Sequence, residues 1–239
     1  MSDERSKRLA VAFAQEAARS PEARLCSACV RALDVSGVAI TVMSAHHSGP
    51  VCVSNARVSD LANVQFTLGQ GPCQEAFETG VPVLVPTFDG AAAARWPAFV
   101  ALAAERGVYA MFAYPLETRR STVGVLSIYQ DRAGPLDETQ LEDAPVVAEI
   151  VARTILAMQA ASPPGALPVD LDQAVAHRAE VHQASGVLSV QLQVPVAEAM
   201  ARIRAFSYAQ GEDVDKVAAN IVAHRVRLPN SDDDPDGKD

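Results

Sequence analysis

The stretch ASPPGALPVD, residues 161–170, constrains this chain more than any other. Successive prolines end a helix, remove backbone donors and favour an extended, stiff connection. Three prolines and a glycine, set between two long helical patterns, cut the protein into halves that must each find a core. The cut gives a first domain at 1–160, a connection at 161–170, a second domain at 171–228 and a tail at 229–239. The tail carries five acids against one base and is expected to be too polar to pack.

Before the cut, helical and strand periods alternate. Leu9, Ala12, Phe13 and Ala17 sit at helical spacing within 3–19, and Pro21 opens a second helix that runs to about Leu33. GVAITVM and PVCVSNA flank SAHHSG, a turn suited to a hairpin; VPVLVPTF, YAMFAYPLE and TVGVLSIYQ follow, the last two joined by TRRS. Helical patterns near 72–79 and 95–106 separate these strands. From 137 to 160, Leu141, Ala144, Val147, Ala148, Val151, Ile155 and Met158 recur at steps of three and four, with Asp137 placed as N-cap. The order predicts an α+β fold, a mainly antiparallel sheet of five or six strands with helices packed on it.

After the cut, helices are predicted over about 171–191, 195–209 and 213–227. Pro195 suits a first turn, Gly211 a C-terminal stop and Asp213 an N-cap. Three short helices can share one small core, and pairing with a second copy would support it. The whole chain has 239 residues and a net charge of −9, but residues 171–228 balance six bases against six acids. With no apolar run near the roughly 18 residues of a membrane helix and no leader signal in MSDERSKRLAVAF, a cytoplasmic protein without membrane contact is expected. Cys26, Cys29, Cys52 and Cys73 are too few and scattered for a secreted disulfide framework, so all four are read as reduced.

Two resemblances rest on these patterns. The element order over roughly 20–160, with FTLGQGPCQEAFETGVPVLVPTF at 66–88, resembles a GAF domain, a small sensor module whose sheet and loops form a pocket for a small ligand in many members. No residue here names such a ligand. VHQASGVLSV at 181–190, with the two patterns after it, resembles an ANTAR domain, an RNA-binding module of bacterial antitermination regulators. Val181, Gln183, Ala184, Gly186 and Leu188 carry the likeness on the first helix; Ala199, Arg204, Ser207, Val217 and Ala218 carry it on the others. Ser185 stands where the family has lysine, and Ser189 where it has methionine. The GAF and ANTAR resemblance, of the actinobacterial type, implies a regulator that binds paired hairpins in nascent RNA, and the broad apolar surface of the helix at 137–160 leads to the expectation of a homodimer.

Helix interiors lose about 1 kcal/mol when glycine replaces alanine, so Gly186 calls for a reason. Either small Ala184 and Gly186 let another chain or an RNA strand come close, or they let the helices of this bundle cross tightly. For RNA, single-stranded loops are read by base edges and stacking on rings or guanidinium planes. The candidates are Arg202 and Arg204 with Tyr208 as a stacking ring, Arg178, Lys216, Arg225 and Arg227 for phosphates, and Gln183 and Ser185, beside Gly186, for base edges or a 2′-hydroxyl.

Other constellations are weaker. GQGPC lacks the ending of a phosphate loop and reads as a turn feeding a helix with Pro72 in its first position. Cys73 would then lie at a helix N-terminus, where a thiol can become reactive; core packing is the plainer reading. Cys26 and Cys29 read as core rather than a zinc half-site, and His46 and His47 lack further ligands. No catalytic triad or metalloprotease motif occurs, so neither enzyme, cofactor nor metal is expected. The competing reading is a ligand or redox sensor whose second domain binds protein instead of RNA.

Overall fold

A computed structural model describes residues 9, 11, 24–43, 48–118, 121–161 and 169–228, with backbone only for 24, 48, 161 and 169–179. Most of the expected helix over 3–19, the His46 and His47 turn, residues 162–168 of the connection and the tail lie outside the described residues. The chain divides into two compact units at Val175.

In the first unit, β1 (Gly37–Met43), β2 (Ser48–Val53), β3 (Val83–Val85), β4 (Ala110–Glu117) and β5 (Thr122–Gln130) form one sheet in the order β2-β1-β5-β4-β3. Every pairing is antiparallel. Side chains alternate across a strand, and both faces are buried here. Val38, Ile40, Phe112, Tyr114, Leu126 and Ile128 point to one core, shared with α1 (Arg24–Leu33) and α6 (Glu138–Ala161). Ala39, Met111, Ala113, Val125 and Tyr129 point to the other. That second core is covered by α2 (Ala56–Leu68), α3 (Pro72–Thr79), α4 (Gly90–Arg95) and α5 (Pro97–Glu105). Leu9 packs against the first core.

The hairpins and the long helix of the sequence reading are present. Asp137 caps α6 as expected: its Oδ1 accepts from the Gln140 amide at 2.8 Å and its own amide donates to Gln140 Oε1 at 3.0 Å. Gln140 Nε2 also donates to the Leu33 and Asp34 carbonyls, tying the start of α6 to the end of α1. The predicted helix near 95–106 is α5, opened by Pro97, and a further short helix, α4, precedes it and meets it at Trp96.

Two expectations are corrected. The second strand does not run through PVCVSNA: it stops at Val53, and Asn55 caps a helix that the sequence reading lacked, its side chain accepting from the Val58 amide at 3.0 Å. Nor are all four cysteines thiols, because Cys26 on α1 is bonded to Cys52 on β2, with Cα atoms 5.9 Å apart. The cause lies in strand register. Cys52 pairs with Ile40, so both face the core on which α1 lies. Cys29 and Cys73 remain unbridged and buried.

The second unit contains most of α7 (Val169–Leu192), with α8 (Val196–Gln210) and α9 (Val214–Val222). Val181, Ala184, Leu188, Ala199, Ile203, Val217, Ala218 and Ile221 are essentially sealed from solvent. Asp213 caps α9 by accepting from the Asp215 amide at 2.9 Å, and Gly211 takes the left-handed conformation that ends α8, both as predicted. Pro195 stands just ahead of α8 as its N-cap.

Candidate functional site

The three described helices of the second unit stop in the same way. Gln193, Gly211 and His224 adopt φ of 56°, 63° and 56°. The amides of the residues after them, Val194, Glu212 and Arg225, reach back to the carbonyls of Ser189, Ser207 and Asn220. This is the six-to-one bond of a Schellman ending. At the first two ends the serine also donates its hydroxyl forward, Ser189 to the Val194 carbonyl and Ser207 to the Glu212 carbonyl, both at 2.6 Å. Ser189, read above as a departure from the family pattern, therefore closes the turn between α7 and α8.

On this frame the candidate RNA contacts separate. Residues of the ANTAR-like pattern at Val181, Ala184, Leu188, Ala199, Ser207, Val217 and Ala218 are core, which accounts for them by packing alone. Gln183 is exposed and Gly186 half-buried, three residues apart on the face of α7 away from that core. A Cβ built on Gly186 would meet no atom within 4 Å, so a tight helix crossing does not explain this glycine. Ser185 is a correction: it is fully buried, four residues after Val181 and three before Leu188, and donates to the His182 carbonyl at 2.8 Å. It is not placed to touch a base edge.

Arg202 and Arg204 do not act together, because residues two apart on a helix point to different sides. Arg202 is one turn from Glu198 and bonds to it at 2.7 Å. Arg204 is half-buried, and burial holds its guanidinium below the usual arginine range. One turn beyond it on the same flank, Tyr208 is 59% exposed, a free ring rather than a core residue. Lys216 is bonded to Glu212 at 2.9 Å. Arg225 and Arg227 are exposed and form no ion pair among the described residues. The Arg178 side chain lies outside the described residues.

Two surface clefts of the first unit are lined by described residues. One, of about 640 Å³, runs between the end of β4 and α6, lined by Tyr114, Pro115, Glu117, Ala148, Arg153 and Leu156 among others. Burial pushes the Tyr114 hydroxyl up to about 12. The other, of about 400 Å³, is lined by Ser36, Asn55, Arg57, Val108, Tyr129 and Asp131 among others. Between the sheet and α2–α5, large side chains fill the interior: Trp96, Phe99, Met111 and Tyr129 are each 4% exposed or less.

Gln65, a residue the sequence reading passed over, organises this interior. Its Oε1 accepts from the Cys73 amide at 2.9 Å, and its Nε2 donates to the Tyr129 hydroxyl at 3.2 Å. Burial raises that hydroxyl far above the ordinary phenol range. GQGPC is thus a link between helices: Gly69 ends α2, Gly71 precedes α3, and Pro72 takes the first helical position as expected. Cys73 follows Pro72 and is only 7% exposed, which fits the packing reading. Among the described residues, no group of three or more His, Cys, Asp or Glu could hold a metal ion. No described helix is long and apolar enough to cross a membrane.

Comparison with family models finds a GAF domain over residues 23–155 and an ANTAR domain over 169–222. Since the first match spans more than half of the chain, the protein belongs to the GAF domain family, and its second unit is an ANTAR domain. The pairing fits a regulator with a sensor domain. No curated protein matches the chain. Similar solved structures include the GAF domain of an Acinetobacter phosphoenolpyruvate-protein phosphotransferase, at 14% identity and a TM-score of 0.49, covering 67% of this chain and 95% of that one. A domain of a putative two-component sensor histidine kinase from Sinorhizobium meliloti 1021 has 19% identity and a TM-score of 0.46, covering 57% and 88%. Free methionine-R-sulfoxide reductase from Neisseria meningitidis has 17% identity and a TM-score of 0.46, covering 67% and 92%.

Proposed function

We propose that this protein is a cytoplasmic, homodimeric transcription antitermination regulator, without catalytic activity, whose ANTAR unit binds paired hairpins in nascent RNA under control of its GAF unit. The observation that carries the reading is the outward face of α7. There Gln183 is exposed and Gly186 opens onto free space, so these two family-pattern residues are not accounted for by the core. Arg204 with Tyr208 on one flank of α8, and Arg225 and Arg227 after α9, supply guanidinium groups and a ring for loop bases and phosphates. Two ANTAR units on one RNA with two hairpins would gain affinity through effective concentration rather than one strong contact. A small molecule in the GAF unit would act by favouring one dimer arrangement over another.

Titration of the full chain with a two-hairpin RNA at two salt concentrations tests this. Single-stranded contacts change log affinity by about 0.7 per phosphate for each tenfold change in salt. With Arg202 and Lys216 each held by a glutamate, a shallow but measurable slope is expected, and Arg225→Ala should reduce it. Gln183→Ala and Tyr208→Ala should weaken binding with little effect on the slope. Absence of saturable binding would favour the second reading, a ligand or redox sensor with a protein-binding second unit. That reading has its own support in Val190 and Val196, which flank the α7–α8 turn at 80% and 53% exposure, and in the even charge balance.

A further inference from the structure

We propose that Cys26 and Cys52 form a reversible redox site, closed to the disulfide by a hydroperoxide and reopened by a small thiol such as glutathione. The two residues are 26 apart in sequence and are joined by the sheet, not by local chain geometry. Cys52 lies on β2, the end strand, opposite Ile40; Ile40 faces the core under α1, and Cys26 stands on α1 above it.

The two sulfurs differ in access. Cys26 is fully buried, whereas Cys52 is partly exposed, so a solvent-borne reagent meets Cys52 first. In the reduced protein the Cys52 sulfur attacks one oxygen of hydrogen peroxide; the O–O bond breaks, leaving a sulfenic acid and one water. The Cys26 sulfur then attacks the Cys52 sulfur, the S–O bond breaks, and a second water leaves. Two thiols have lost two electrons to the peroxide. In the return direction, two glutathione thiols supply those electrons and become glutathione disulfide.

Cys29 sits one turn from Cys26 on the same buried side of α1 and is the competitor to consider. Burial drives its thiol far above the usual range, which keeps it protonated and a poor nucleophile. The bond is also not what holds α1 in place. Gln140 fastens its far end through Leu33 and Asp34, and the surrounding core is extensive. Opening the bond therefore loosens the first turn of α1 and the edge strand while leaving the sheet intact.

Equilibrating the full chain in glutathione buffers of graded ratio, then unfolding and alkylating it, counts thiols by intact mass. Four are expected at the reducing end and two, Cys29 and Cys73, after hydrogen peroxide. Hydrogen exchange should slow on oxidation within 24–33 and 48–53 and stay unchanged in β4 and β5. Cys52→Ser should abolish both changes, and Cys29→Ser should keep them. Unchanged circular dichroism on reduction of the wild type would show that the readout is not unfolding. A bond that forms with Cys29 or Cys73, one that resists millimolar glutathione in the folded protein, or failure of peroxide to form it would each overturn the proposal. These readouts need no RNA, so they stand or fall apart from the antitermination reading.

Discussion

Gly186 occupies a helix position where a methyl group would touch nothing. Alanine is favoured over glycine in a helix by about 1 kcal/mol, so Gly186→Ala should stabilise the second unit by about that amount in urea unfolding, with RNA affinity falling if the bare backbone is a contact. Gln65 presents the opposite case, a buried amide whose two ends are both used. Gln65→Leu removes its bonds to the Cys73 amide and the Tyr129 hydroxyl, and each buried hydrogen bond contributes about 0.5–1.5 kcal/mol. The variant should lower the melting temperature of the first unit by several degrees without affecting Cys26 or Cys52. Ser185 and Gln65 both proved to be buried structural residues that the sequence reading had not assigned inward, though the signals differed. Ser185 could have been assigned inward from its spacing to Val181 and Leu188. Gln65 could not, because only the folded sheet brings Tyr129 to it.

The secondary-structure elements were most legible where a cap coincides with a period. Asp137, Asp213, Pro72 and Gly211 all mark ends that the structure confirms. The helix Ala56–Leu68 escaped because Gln65 is one of its inward residues, which blurs the apolar stripe; Asn55 and Gly69 were the available signs. The ending of α9, expected near 227 and found at Val222, was hidden because histidine stands where glycine is usual, whereas α7 ends within a residue of the expected place although glutamine takes that position. Left-handed backbone costs L-residues roughly 1–2 kcal/mol. Gln193→Gly should accordingly raise the stability of the second unit by about 1 kcal/mol, measured in urea, whereas Gly211→Ala should lower it.

At the scale of the whole molecule, the division into a sheet-based unit and a helical unit could be read from composition and proline placement, and the antiparallel hairpins from alternation. What joins α1 to β2 could not, because the Cys26–Cys52 pairing depends on which face Ile40 presents after the sheet has formed. Burial of Tyr114 and Tyr129 makes the stability of the first unit sensitive to alkali. Their folded hydroxyls titrate above the ordinary value of 10.0, so the stability they confer is complete below pH 10 and declines as pH rises toward 12. Tyrosinate absorbance followed against circular dichroism between pH 9 and 12 should show these two rings ionising together with loss of the fold.

The paired serine clasps at the ends of α7 and α8 have a mechanical result. With both corners latched, neighbouring helices of the ANTAR trio can hinge at these turns only by first breaking the clasps.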